Sequence, residues 1–210
     1  MNTPAINIPV KNITGILLAA GHSRRFSQGN KLLYPLQDGR PTALVAAQNL
    51  IEALPSSVAI IRPDEHVLAE LLEKAGLKVL MCNEDQQEMA DSLAAAARYL
   101  ANPTLIPDGV VVALADMPFI QPQTILRVAE ELVAGAGIVV PVYQQQRGHP
   151  VGFHQRYLPE LEALQGDEGA RSVLQRHGLD IRKLESQDPG IVADIDTVDD
   201  AQRLLTALGS

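Results

Sequence analysis

Residues 13–21, Ile-Thr-Gly-Ile-Leu-Leu-Ala-Ala-Gly, constrain this chain more than any other stretch. An apolar run that stops at glycine suits a strand buried on both faces, the situation of a central strand in a parallel sheet. A short polar loop follows, carrying Ser23, Arg24, Arg25 and Lys31. Glycine relaxes the backbone there, small residues let N–H groups approach an anion, and fixed cations offset its charge. The combination predicts a phosphate-binding turn at the end of a strand. The plainer reading of the same residues is a strand and turn with surface arginines. Neither G-x-x-x-x-G-K-[ST] nor G-x-G-x-x-G is present.

The rest of the chain repeats one rhythm as far as residue 141. After Pro41, apolar residues recur on one helical face (Ala43, Ala47, Leu50, Leu54) until Pro55. Residues 57–62 read as a strand, 65–75 as a helix stopped by Gly76, and 77–81 as a third strand. A helix over 89–100, a strongly apolar strand over 109–115, a helix over 123–133 and a strand over 137–141 complete the series. Alternating β and α predicts a mostly parallel sheet with right-handed crossovers and helices on both faces. Ligands of such sheets bind at the carboxyl ends of the strands, where both the first loop and Asp116 fall. Beyond residue 141 the rhythm changes. A polar tip at 144–147 and a returning stretch at 148–153 predict an antiparallel excursion or an insertion covering the site. Helices are expected at 156–164 and 169–177, short extended pieces at 181–184 and 191–196, and a last helix at 198–208 capped by Thr197.

Composition narrows the function. The 210 residues carry 17 basic and 25 acidic side chains, a net charge of −8, which argues against generic nucleic-acid binding. An acidic chain that handles nucleotides must concentrate positive charge locally or bring a metal. Cys82 stands alone, so neither an internal disulfide nor a zinc set is expected. No apolar run reaches membrane-spanning length. Residues 1–10 lack a signal peptide's basic start and apolar centre, and are expected to be a flexible tail before a single domain over 11–210. The expected location is cytoplasmic.

Two carboxylate positions stand out. Asp116 ends the long apolar strand just before Met117-Pro118, where it can hold a hard cation such as Mg²⁺ or simply cap a turn. Alternation puts Asp194 and Asp196 on one face, with Asp196 directly ahead of a helix start. Asp196 or Thr197 can equally cap that helix, with Asp199 and Asp200 favouring its N-terminal dipole.

The first loop resembles the signature L-A-A-G-x-S-x-R-[MF]-G of the MobA-like nucleotidyltransferases. It reads here Leu18-Ala19-Ala20-Gly21-His22-Ser23-Arg24-Arg25-Phe26, with Lys31-Leu32-Leu33 beyond. Ser27 stands where glycine is usual and Lys31 lies one residue further on, so Gly29 is expected to turn a longer loop tip. Further along, Leu114-Ala115-Asp116-Met117-Pro118 resembles the family's metal motif. Gly148-His149-Pro150 resembles its acceptor-side G-H-P, and Asp194-Ile195-Asp196-Thr197 its D-I-[DN]-T. Gly166-Asp167-Glu168-Gly169-Ala170-Arg171 resembles G-D-x-G-A-R of the molybdenum cofactor cytidylyltransferase branch. Around the third helix Ser92 and Leu93 match, while Cys82 replaces an asparagine and Glu88 a glycine. A carboxylate at 88 should repel phosphate unless it points away or joins the metal site.

The resemblance covers about residues 13–207. It implies a Rossmann-like, three-layer α/β/α nucleotidyltransferase fold. It implies transfer of CMP from CTP to the phosphate of molybdopterin, with pyrophosphate leaving; L-A-A-G rather than L-A-G-G at residues 18–21 goes with cytosine. Leu18, Ala19, Ala20, Gly21, Ser23 and Ser92 would hold the nucleotide, and Arg25 and Lys31 the leaving phosphates. Asp116 and Asp196 would hold Mg²⁺, with Mn²⁺ as a substitute. Gly148, His149, Asp167 and Arg171 would line the acceptor. An acceptor molybdoenzyme or its chaperone is the implied partner. Two rival readings are a transferase acting on a sugar phosphate or methylerythritol phosphate, and a non-catalytic cofactor carrier.

Overall fold

The computed structural model describes residues 10, 12–21, 23, 25–82, 89–166 and 169–208. Its centre is β1 (Ile13–Leu18), which pairs in parallel with β2 (Ser57–Ile61) on one side and β4 (Gly109–Leu114) on the other. A strand with neighbours on both edges and helices over both faces must be largely apolar, as this one is apart from the half-buried Thr14. Ile16 and Leu18 face one layer and Leu17 the other, the alternation that a pleated strand imposes. Gly15 permits the tight seam with β2, because a Cβ there would come within 2.2 Å of Ser57 Oγ.

One layer holds α1 (Thr42–Ala53), α2 (His66–Lys74) and α4 (Pro122–Val133), which bury Leu50, Leu68, Leu72, Val128 and Leu132 against the sheet. The opposite layer holds α3 (Met89–Leu100), α5 (Leu158–Glu162) and α6 (Arg171–Arg176), packed through Leu93, Ala97, Leu161 and Val173. The expected three-layer α/β/α, Rossmann-like architecture is therefore present. Gly76, in the left-handed region at φ 103°, ends α2 where the sequence signals a stop. No helix among the described residues is long and apolar enough to cross a membrane.

The strand order is β3-β2-β1-β4-β7-β5-β6, with β8 (Ile181–Glu185) paired to β5 (Ile138–Tyr143) in parallel. The edge strand β3 is Lys78–Met81. Beyond residue 141 the expected antiparallel excursion is present, the covering insertion is not, and one extended piece is corrected. The returning stretch is antiparallel, but it joins the sheet and does not lie across the site. β7 (Val151–His154) sits between β4 and β5 and pairs with both. Its residues Val151 and Phe153 are buried, and a mid-sheet slot is where such side chains find apolar neighbours on both sides. The polar tip is itself a hairpin. Gln146–Arg147 form β6 against Val142 and Tyr143, turned by Gln144 and Gln145 at φ 47° and 68°. Residues 191–196 are not a strand: Pro189–Val192 form a 3-10 turn and 193–196 follow without regular pairing. Asp188-Pro189-Gly190 dictates this, since Asp188 accepts a hydrogen bond from Gly190 N at 2.9 Å.

Candidate active site

The register of the sheet brings the first loop to Asp116. Leu18 lies opposite Leu114, and Ala115 N donates to Leu18 O at 3.0 Å, so the loop after β1 and the turn after β4 leave the carboxyl edge side by side. Ile195 N then donates to Asp116 O at 2.9 Å, which brings the 193–196 segment onto the same edge. A small apolar cluster holds it there. Phe26 and Leu36 from the first loop and its extension pack with Ile195, Ala201 and Leu204, the last two from α7 (Val198–Leu208). Thr197 begins α7 as expected. Thr197 Oγ1 accepts from Asp200 N at 3.1 Å while Asp200 Oδ2 accepts from Thr197 N at 3.0 Å, a reciprocal cap.

Four charged side chains converge at this edge. Lys31 Nζ lies 2.6 Å from Asp116 Oδ2 and 2.8 Å from Asp196 Oδ1, and an Arg25 guanidinium nitrogen lies 2.6 Å from Asp196 Oδ2. The Lys31 side chain is only 9% exposed, whereas that of Arg25 is 74% exposed. Burial by itself would lower the Lys31 pKa. The charge of Asp116 and the hydrogen bonds to Asp116 and Asp196 outweigh it, and the pKa is raised. Asp194 stays exposed and does not touch the lysine. Its carboxyl is pushed above the usual range by partial loss of water and by the charges of Asp196 and Asp116. Among the described residues no group of three metal-binding side chains gathers. A carboxylate pair is what a Mg²⁺ ion shared with substrate phosphate ordinarily uses. The Lys31 ammonium sits between the two carboxylates.

The main chain of the loop is held separately from these side chains. Ser23 Oγ accepts from Lys31 N at 3.1 Å, and Asn30 Oδ1 accepts from Leu32 N at 2.9 Å. Asn30 Nδ2 donates to Glu65 Oε2 at 2.8 Å, and Glu65 is also paired with Arg62. Gly29 adopts φ 91° and turns the longer tip, as the extra residue before Lys31 predicts. Leu18, Ala19, Ala20, Gly21, Lys31, Ser92 and Asp116 line a notch of about 50 Å³, and the space beside Gly21 is open. Ser92 is buried on α3, below the notch.

A second cavity, of about 230 Å³, adjoins the notch and shares Leu18, Met89 and Leu114 with it. Its other walls are mostly apolar, including Leu93, Val140 and Phe153, with Arg147, His149 and Arg171 among the polar lining. His149 Nδ1 is buried and has no hydrogen-bond partner among the described residues. Burial pushes the imidazole pKa below its ordinary value, although the Asp116 charge and a hydrogen bond with the Val112 carbonyl act the other way. Gly148 has a packing reason: a Cβ there would lie 2.2 Å from Ile191 O. Asp167 and Glu88 lie outside the described residues. Asn30, Glu65 and Asp188 escaped the sequence reading. Asp188 is buried and accepts from Gln121 N at 2.9 Å and Thr124 Oγ1 at 2.7 Å, tying the 188–196 segment to the start of α4. The Asp-Pro-Gly turn and the asparagine before Lys31 were the available signals.

Comparison with known proteins agrees with this fold. The model of the MobA-like NTP transferase domain matches residues 15–181. The purine catabolism protein PucB of Bacillus subtilis is 28% identical over 207 residues, covering 93% of this chain and 97% of that protein. Nicotine blue oxidoreductase of Paenarthrobacter nicotinovorans is 26% identical over 204 residues, covering 92% and 96%. Among solved structures, Rv0371c of Mycobacterium tuberculosis superposes with a TM-score of 0.76 at 28% identity, over 94% of this chain and all 100% of that one. A manganese complex of Rv0371c superposes at 0.74 and 26% identity, covering 93% and 99%.

Proposed function

The chain belongs to the MobA-like NTP transferase family and is a nucleotidyltransferase; within that family we propose that it transfers CMP from CTP to the phosphate of molybdopterin. The observation that carries this reading is the convergence of Lys31, Arg25, Asp116 and Asp196 beside the notch of residues 18–21. In the reaction an oxygen of the acceptor phosphate forms a bond to the α-phosphorus of CTP, and the bond from that phosphorus to the β-phosphate oxygen breaks. Pyrophosphate leaves. The acceptor phosphate is already anionic, so no protein base is needed, and the chain's work is alignment and charge stabilisation.

Backbone groups of residues 18–21, with Ser23 and Ser92, would seat the nucleotide. Arg25 and Lys31 would take up charge on the leaving β- and γ-phosphates. Asp116 and Asp196 would hold Mg²⁺ or Mn²⁺, which would supply Lewis-acid stabilisation of the phosphoryl oxygens. The oxygen donors of this pair suit a hard cation, and the manganese complex of Rv0371c supports a divalent ion on this fold. The adjoining apolar cavity, with Arg147, His149 and Arg171, fits a flat heterocycle carrying a phosphate better than a polyhydroxylated sugar phosphate or methylerythritol phosphate. Asp167 completes the proposed acceptor set. The product would pass to an acceptor molybdoenzyme or its chaperone in the cytoplasm; the name of PucB directs that search to enzymes acting on purines. Another relative is named an oxidoreductase, and the charge cluster favours phosphoryl chemistry here.

The test is pyrophosphate release with CTP, GTP or ATP and Mg²⁺, in the presence of molybdopterin. CTP should be the preferred donor, because Ala19-Ala20 replaces the Ala-Gly of guanine users. Equal or better use of GTP overturns the cytidylyl assignment. Binding of CTP without pyrophosphate release to molybdopterin or to sugar phosphates leaves the carrier reading.

A further inference from the structure

We propose that Asp188 is a positioning residue: through the segment 188–196 it sets where His149 and the pair Asp116 and Asp196 stand relative to each other. The proposal rests on the reading of His149 as an acceptor-side residue and of the two aspartates as part of the reacting edge. Asp188 adds to them a group that acts through the main chain.

The segment starts beside β8 at the rim of the sheet, where Ser186 N donates to Val142 O at 2.9 Å. It then crosses the carboxyl ends of β5 and β4 to reach α7, and it is tied at three places. At its start the carboxylate of Asp188, a residue only 4% exposed, accepts three hydrogen bonds. Oδ2 accepts from Gln121 N at 2.9 Å and from Thr124 Oγ1 at 2.7 Å, and Oδ1 accepts from Gly190 N at 2.9 Å. In the middle, Ile191 O accepts from His149 N at 2.9 Å. At the far end, Ile195 N donates to Asp116 O at 2.9 Å, one residue before Asp196. Packing leaves little slack between the ties. A Cβ on Gly190 would come within 2.0 Å of Phe119 O, and one on Gly148 within 2.2 Å of Ile191 O. The side chains of Ile191 and Ile195 are fully buried.

The chemistry of the first tie calls for a carboxylate. Its donors come from two elements, the start of α4 and the 3-10 turn Pro189–Val192, and they meet different oxygens. Only a side chain that accepts on both oxygens serves them all. An amide accepts on one side alone and turns its NH₂ toward the N–H of Gln121 or of Gly190. Either choice leaves a buried donor without its acceptor and releases the segment from α4 or from its own turn. Since the segment carries both Ile191 O and Asp196, a shift in it moves His149 and Asp196 together. Side chains of the notch or of the cavity act on their own side, whereas this main-chain link reaches both. Displacement of a reacting group by about 1 Å can cost on the order of a hundredfold in rate.

The test is Asp188→Asn in the whole chain, with Thr124→Val as a milder variant that removes one donor and keeps the carboxylate. In Asp188→Asn, amide hydrogen exchange should quicken by about tenfold or more at His149 and Ile195. The amides of Gly148, held by Pro141 O, and of Ala115, held by Leu18 O, should keep their protection. Pyrophosphate release from CTP with molybdopterin should show kcat lowered by roughly ten- to a hundredfold and the acceptor KM raised by about tenfold. The KM for CTP should stay within about twofold of wild type, because none of the three ties engages residues 18–21. Thr124→Val should move the same quantities in the same direction by less, and it decides the matter if Asp188→Asn does not fold. A lower Tm with wild-type exchange at His149 and Ile195 would mean that Asp188 only caps α4, and the proposal is overturned. Equal quickening at all four amides, or selective quickening beside unchanged kinetics, overturns it too. If wild type releases no pyrophosphate with molybdopterin, the acceptor reading falls and the exchange pattern alone decides the role of Asp188. Selective loss of protection at His149 and Ile195 then upholds it, and unchanged protection overturns it.

Discussion

The notch of residues 18–21 and the larger cavity beside it share the wall formed by Leu18, Met89 and Leu114, yet they are built differently. The notch is small, opens at the carboxyl ends of β1 and β4, and is edged by charges already paired with each other. The cavity is more than four times larger (about 230 against about 50 Å³), its walls mostly apolar, with two arginines and a histidine of depressed pKa among its lining. Charge can orient any triphosphate, because every nucleotide carries the same phosphates. Shape and apolar contact must distinguish one acceptor from another. The difference teaches that in this fold the chemistry and the choice of acceptor are separable, and mutations on the two sides should separate them too.

The largest expected effects come from the charged side. Asp116→Ala and Asp196→Ala should each reduce turnover by on the order of a thousandfold or more, since both position the charge that the transition state needs. Folding should suffer far less, because the remaining carboxylate still faces Lys31. Steady-state pyrophosphate release beside a melting curve checks both. Normal turnover in either variant would make that residue a turn or cap aspartate. Next comes Lys31→Met, which should lower the catalytic rate by roughly 100- to 1000-fold and weaken binding of the metal–CTP complex less, as contacts that strengthen in the transition state do. Single-turnover rates against equilibrium binding distinguish this from equal losses, which would mean a ground-state contact only.

On the cavity side the effect should be smaller and fall elsewhere. Arg171→Ala should raise the KM for the acceptor by about ten- to a hundredfold, the usual range for a hydrogen bond to a charged group, and leave CTP binding unchanged. A variant that loses CTP and acceptor affinity together would break the separation drawn between the two sides.

The two sides also differ in how much of them the sequence discloses. The charged side grows from strands whose apolar runs end in polar turns, so β1, β4, the loop and Asp116 are all legible as a parallel sheet edge. Even Gly29 at the loop tip follows from one extra residue before Lys31. What local patterning cannot show is that Lys31 spans two carboxylates from distant parts of the chain, since that depends on Ile195 N meeting Asp116 O. The cavity side depends on β7 entering the sheet between β4 and β5, a long-range pairing that no period in the sequence encodes. Residues 191–196 alternate well enough to read as a strand. The buried carboxylate of Asp188, fixed to Gln121 and Thr124, instead starts a 3-10 turn at Pro189–Val192, and 193–196 follow it without strand pairing.

The smallest effect, and the one that sharpens the comparison most, is a pH dependence confined to the cavity side. Burial lowers the His149 pKa below its ordinary 6.5, so the folded protein keeps a neutral imidazole where the unfolded chain takes up a proton. Stability linked to His149 is therefore complete above about pH 6.5 and is lost as the pH falls through the folded value. The slope cannot exceed about 1.4 kcal/mol per pH unit for one proton. For a chain of this size that corresponds to roughly 3–6 °C in Tm per unit. Lys31 behaves oppositely. Its raised pKa keeps the stability of its salt bridges intact below its ordinary 10.5, to be lost only as the pH rises through the still higher folded value. Between pH 5 and 7.5 the notch should thus be silent and the cavity should titrate. His149→Gln keeps a polar side chain without a titrating group, so the difference in Tm between wild type and variant, measured across that range, isolates this one proton. A difference that shrinks as the pH falls from 7 to 5, because wild type loses stability that the variant does not, supports the assignment. Parallel curves would mean that His149 is protonated equally in both states, and the contrast between a titrating cavity and a silent notch would fail.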